Sequence, residues 1–168
     1  ERPAQRLGEA VVVTNALRSW VEESAKRYMP SLWPTLERLR IVSARERAQG
    51  QAPRAADWKV LTFDELRLQR DPDAVLNFIS IGDSDYEMDA ARYVGEVHGR
   101  VIVKTLKLRP APSLPELVDE LHAVTRRLRS IVESAKAQDL RVDRDVQSCE
   151  LAEGGRETAV SQPRASPV

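Results

Sequence analysis

Four short apolar runs rich in β-branched residues punctuate the chain: residues 10–13 (AVVV), 39–42 (LRIV), 75–81 (VLNFISI) and 101–106 (VIVKTL). Bounded by polar, Gly or Pro signals, such runs predict strands buried on both faces, as in parallel sheets. Between them, apolar positions recur every three or four residues. Trp20, Val21, Ser24, Ala25 and Tyr28 follow that spacing. Ser19 and Glu22 form a capping-box pattern at the start, and Pro30 and Pro34 end or interrupt the segment. Residues 58–68 predict a second helix with Asp57 as N-cap, and residues 86–97 a third.

The longest helix is the clearest. Ser113 caps it, Pro115 suits its first turn and Glu116 completes a capping box. Leu114, Leu117, Val118, Leu121, Val124, Leu128, Ile131 and Val132 line one face. Arg126, Arg127 and Arg129 sit on or near the other, as a solvated face or a partner patch. Residues 44–56 read as a polar loop with at most a helical turn. From residue 138 the chain turns polar, and apolar periodicity nearly vanishes. The expected organisation is a leader at 1–9, one α/β domain at 10–136 and a disordered tail at 137–168. Strands alternating with helices predict a Rossmann-like, mostly parallel sheet flanked by helices. Its crossovers should be right-handed, with ligands at the carboxyl edge of the strands.

Composition narrows the class. The 168 residues carry 26 Lys plus Arg and 26 Asp plus Glu. A zero balance argues against a general nucleic-acid binder, which needs a basic surplus. No apolar run approaches the ~20 residues of a membrane span. Cys149 is the only cysteine, so no internal disulfide forms, and no Cys/His cluster has zinc spacing. These features predict an intracellular, cytoplasmic protein with no membrane partner. His98 and His122 are isolated and suit surface or packing roles.

The carboxyl edge gathers the polar chemistry. The first strand ends in Thr14-Asn15 and the third in Gly82-Asp83-Ser84-Asp85-Tyr86-Glu87. Lys59 falls in the first turn of a returning helix, at the same edge. A hydroxyl, an ammonium and two carboxylates, Asp83 and Glu87, make a set suited to phosphate and Mg2+, which takes one or two protein carboxylates and keeps its waters. The plainer alternative is structural: Ser84 and Glu87 also fit a capping box, with Asp85 favouring the helix dipole.

In order, VVVTNA, the single lysine of DWKVLTF, and ISIGDSDYEMDA resemble the second, third and fourth motifs of the haloacid dehalogenase-like phosphatases. The resemblance spans residues 11–106. TNALRSWVEESAKRYMP, VSARE and GDSDYEMDA look like protist members of that superfamily. The resemblance implies a Rossmann-like domain, Mg2+ and phosphoryl transfer from a phosphorylated substrate through an aspartyl-phosphate. It places Thr14 and Asn15 at the phosphate, Lys59 as the catalytic cation on that phosphate, and Asp83 and Glu87 at the metal.

The family's nucleophile is the first Asp of an Asp-x-Asp motif ending a central strand that precedes the threonine motif. Here residues 1–9 contain no aspartate. Asp143 and Asp145 lie in the expected tail, and Asp71-Pro72-Asp73 precedes a strand instead of following one. The expectation is therefore a carboxyl-terminal portion of a Mg2+-dependent phosphatase or phosphotransferase. It would lack its central first strand and be inactive for want of the nucleophile. The start at Glu1, without methionine, agrees with a fragment. The alternatives are a non-catalytic interaction module on the same fold, or a nucleotide-binding domain. The latter is disfavoured because no Gly-x-Gly-x-x-Gly or Walker pattern follows a strand.

Overall fold

The computed structural model describes residues 6–142 and 151–153. Strand β1 (Val11–Thr14) pairs in parallel with β2 (Arg40–Ser43), with Val11 opposite Arg40 and Thr14 opposite Ser43. Helices α1 (Arg18–Tyr28) and α2 (Trp33–Leu36) connect them. After β2 come α3 (Ala44–Ala48), α4 (Ala55–Leu68) and β3 (Leu76–Gly82). Helix α5 (Asp85–Val97) leads to β4 (Val101–Lys107), and α6 (Leu114–Glu133) to β5 (Gln138–Val142). Strands β3, β4 and β5 are parallel, and β6 (Leu151–Glu153) closes the second sheet antiparallel to β5. The protein is thus a mixed α/β fold of parallel sheets flanked by helices, Rossmann-like in general plan.

The two sheets share no ladder among the described residues, yet they border one apolar core. Phe63 and Leu66 of α4 and Ala90, Ala91 and Val94 of α5 are buried together. Val11 and Val13 of β1, Phe78 of β3, and Val101 and Val103 of β4 pack against them. Phe63 and Phe78 tilt against each other at 5.3 Å. Strand β1 of the first sheet and β3, the edge strand of the second, both reach this core, together with β4, while no β2 or β5 residue belongs to it.

On the opposite face, Leu106, Val124, Ile131, Leu140 and Val142 form a second core, with Ile79 and Leu108 against it. Adjacent residues Phe78 and Ile79 therefore serve the two faces, as strand alternation requires. This places α5 and α6 on opposite faces while β3, β4 and β5 step across the sheet in one direction. The two crossovers must have opposite hands, so uniform right-handedness does not hold. With α6 on the face of α5, Ile79, Leu106 and Leu140 would have no helix over them.

Helix α5 sits unusually close to β4. A Cβ at Gly95 would come within 2.5 Å of Val103 Cγ2. Gly95→Ala is expected to lower stability by about 1–3 kcal/mol through overpacking, despite the up to ~1 kcal/mol that alanine offers a helix. Urea denaturation measures this, and an unchanged midpoint would show that the helix moves off freely.

Several local expectations change. Leu17, not Ser19, is the N-cap of α1, and Glu22 bonds Arg18 Nε at 2.8 Å instead of returning to a cap. Arg54 is the N-cap of α4, while Asp57 sits in its first turn and accepts from Arg54 at 2.8 Å. Ser43 caps α3 by accepting from Glu46 N at 3.2 Å, and Ala44 and Ala48 bury that helix inside the expected loop. The Ser113–Glu116 capping box forms as expected, with Glu116 accepting from Ser113 N at 2.8 Å and from Ser113 Oγ at 2.6 Å.

The expected tail boundary at 137 is also corrected, since β5 and β6 lie beyond it. The sequence QDLRV looked polar because it is a strand with one face on the core. Leu140 and Val142 are buried, while Asp139 accepts from Thr105 Oγ1 and from Arg92 Nη2 at 2.9 and 3.1 Å. Cys149, Asp143 and Asp145 lie outside the described residues.

Candidate functional site

Strand β3 ends at Gly82, and the chain turns through Asp83 into α5. Ser84 caps that helix by accepting from Tyr86 N at 3.2 Å. Glu87 takes no part in the cap. Its carboxylate bonds the Nζ of Lys59, from the first half of α4. Both side chains are largely withdrawn from water, at 7% and 13% exposure. The capping-box reading of Glu87 is therefore replaced by a buried ion pair between two helices.

Two small residues make the pair possible. A Cβ on Gly82 would stand 3.2 Å from Glu87 Cγ and Cδ, so glycine leaves room for the carboxylate to lie over the strand end. Ser80 donates its hydroxyl to the Glu87 carbonyl at 3.2 Å and fixes the first turn of α5 against β3. Neither role was read from the sequence. The glycine of GDS was the available signal, since a strand end that must admit a side chain favours a residue without Cβ.

Burial pulls the Lys59 ammonium below the ordinary lysine range, and the nearby Asp83 carboxylate opposes that by favouring the charged form. Asp83 itself is exposed. Glu87 Oε2 is buried without a hydrogen-bond partner. An orphaned carboxylate oxygen of this kind calls for a donor or a cation.

Thr14 and Asn15 end β1, half-buried. Thr14 Oγ1 accepts from Ala16 N at 3.1 Å, which leaves its hydroxyl proton free to donate elsewhere. Asn15 Oδ1 is buried and unpartnered. No hydrogen bond joins either residue to Lys59, Asp83 or Glu87. Their immediate neighbours do share a core: Val13 and Val60 pack against the same apolar cluster. The structure thus joins Lys59 and Glu87 directly, with Asp83 acting on Lys59 through its charge and with Thr14 and Asn15 as unconnected edge groups.

A second ammonium at this edge was missed. Lys107, the last residue of β4 and paired in register with Gly82, donates to Asp85 Oδ1 at 2.6 Å. That bond holds the Asp85 carboxyl below the usual carboxylate range, helped by the charges of Lys107, Arg141 and Arg92. Sequence reading gave Asp85 only to the helix dipole.

Among the described residues, no group of three or more His, Cys, Asp or Glu side chains is disposed to hold a metal. Asp83 and Glu87 supply two carboxylates, the number Mg2+ takes while keeping its waters. His98 caps the end of α5 and meets Asp64 of α4 at 2.5 Å, a packing role. No described helix is long and apolar enough to cross a membrane. No family model, curated protein or solved structure matches the chain.

Proposed function

We propose that this chain is the nucleophile-lacking part of a haloacid dehalogenase-like, Mg2+-dependent phosphatase or phosphotransferase, and that by itself it binds phosphate without turning it over. The carrying observation is the withdrawn Lys59–Glu87 pair beside Asp83, with one carboxylate oxygen left unpartnered at a strand end. Asp83 and Glu87 would hold Mg2+. The ion would offset charge on phosphoryl oxygens.

The chain's own residues do the rest. With Glu87 given to the metal, Lys59 would exchange its carboxylate partner for phosphoryl oxygens and act as a point charge on them. Thr14 would donate its free hydroxyl proton. Asn15 would turn its amide half a revolution to present NH2 in place of Oδ1. Each such bond is worth about 1.5–3 kcal/mol when one partner is charged. Among the described residues Asp83 is the one aspartate that directly follows a strand, and here it is given to the metal, so a covalent phosphoryl intermediate has no nucleophile among them.

The break between the sheets supports the same reading. One strand inserted between β1 and β3 would pair with both open edges and unite the sheets. Its carboxyl end would fall between Thr14 and Asp83. Arg67, near the other end of α4, is buried with one long bond to Pro72 O at 3.5 Å and an unpartnered Nε. It offers a further polar group for such a segment.

The ion pair also favours a second reading, a non-catalytic interaction module, because Lys59 already has its counter-charge. Anion binding separates the two. While Glu87 occupies Lys59, a phosphate mimic meets a neutralised site, so tungstate should bind only with Mg2+ present, and Asp83→Ala should abolish that binding. Calorimetry on the folded chain tests this, and no binding with or without Mg2+ would favour the interaction module.

A further inference from the structure

The long helix carries an outward seam that its own domain leaves uncovered among the described residues. Leu114, Val118, Leu121, Thr125, Leu128 and Val132 succeed one another at strict four-three spacing. That is the heptad spacing of a helix that packs along another, with leucine at every d position and a β-branched residue at every a position. The neighbouring g positions, Leu117, Val124 and Ile131, turn inward, and Val124 and Ile131 are buried in the second core. The seam itself faces out. Leu114 is 79% exposed, Val118 49% and Leu121 47%, and the stripe becomes half-buried only at Leu128 and Val132.

We propose that this seam is a homodimer contact, in which α6 of one copy packs antiparallel against α6 of a second copy of this chain. The register follows from the residues. An antiparallel two-fold set between Leu121 and Thr125 places Leu114 on Val132, Val118 on Leu128, and Leu121 on Thr125 of the other copy. Every layer then joins a leucine to a β-branched residue.

Charge selects the direction. The first half of α6 carries Glu116 and Asp119 at its surface, and the second half carries Arg126 and Arg129. Antiparallel packing brings Asp119 toward Arg126 and Arg129 of the other copy. Parallel packing would instead turn the flank of Asp119, Arg126 and Arg129 toward the other copy's flank at Val124 and Ile131, which is buried in that copy's own core. Like charges across a contact are costly, and opposite ones fix the register. The seam lies apart from Lys59 and Glu87, so the dimer stands or falls independently of phosphate binding.

Sedimentation of the full chain across a concentration series tests the proposal. The expected result is a reversible dimer, weakened at least about tenfold by Leu121→Glu and by Asp119→Arg. The charge swap Asp119→Arg/Arg126→Asp should restore it, which general damage to the fold would not do. Asp119 is exposed, so its variant keeps the test valid if Leu121→Glu fails to fold. A monomer at every concentration overturns the proposal. So does a dimer indifferent to both Asp119→Arg and Leu121→Glu. If Leu121→Glu lowers the Tm of such a monomer, the seam is covered by the chain's own residues.

Discussion

Lys59→Met is expected to destabilise the protein by about 3–5 kcal/mol, the typical cost of removing one partner from a buried ion pair. The methionine keeps most of the volume, so the loss comes from Glu87. Its carboxylate already has one orphaned oxygen, and the variant strips the partner from the other. The double variant Lys59→Met/Glu87→Leu should recover most of that loss, because well-packed apolar replacements of buried pairs are often neutral or stabilising. Urea denaturation of the three proteins measures the cycle. A single variant as stable as wild type would mean that Glu87 reaches water when freed. The recovered double variant is useful in its own right, since it would be folded yet unable to bind tungstate with Mg2+.

The second large effect belongs to Lys104. This lysine is 0% exposed, on β4, and its three ammonium protons go to carbonyls at the end of α6: Ile131 at 2.6 Å, Val132 at 3.1 Å and Ser134 at 2.6 Å. It is a cationic cap reaching the helix from the sheet beneath. Helix ends leave carbonyls without intrahelical donors, and their dipole favours a positive charge. Burial pulls the Lys104 pKa down, while the three carbonyls favour its charged form.

Lys104→Met should cost about 3 kcal/mol. Asn77 Nδ2 still donates to Val132 O at 2.7 Å, but Ile131 O and Ser134 O lose their donor, at about 1–3 kcal/mol for each buried orphan. Amide exchange should rise first in the last turn of α6. A stability change no larger than the ~0.5 kcal/mol of ordinary surface substitutions would show that water replaces the ammonium.

Much of the architecture was legible because apolar runs and helical spacing are direct consequences of burial. The four β-branched runs became β1 to β4, and the capping box at Ser113 and Glu116 marked the start of α6. What the sequence hid were elements stabilised by partners far along the chain. Strand β5 looks like tail until Asp139 meets Thr105 and Arg92. Lys104, inside an apolar run, reads as an interruption until α6 brings it three carbonyls. The side of the sheet that α6 takes depends on which face of β3 and β4 remains bare, which periodicity alone does not report.

The candidate site divides the same way. The positions of Lys59, Asp83 and Glu87 at one edge followed from strand order and helix starts. The bond from Lys59 to Glu87 did not, because Ser84 offered a local explanation for the same glutamate. Only Gly82 hinted that a side chain had to lie across the strand end.

The most direct test of the account is calorimetric titration of tungstate into the folded chain, with and without Mg2+, beside the Asp83→Ala variant. The account predicts binding that requires Mg2+ and disappears in Asp83→Ala, because Lys59 is freed only when the carboxylates turn to a metal. Binding that ignores both Mg2+ and Asp83, or no binding at all by a folded chain, would contradict it.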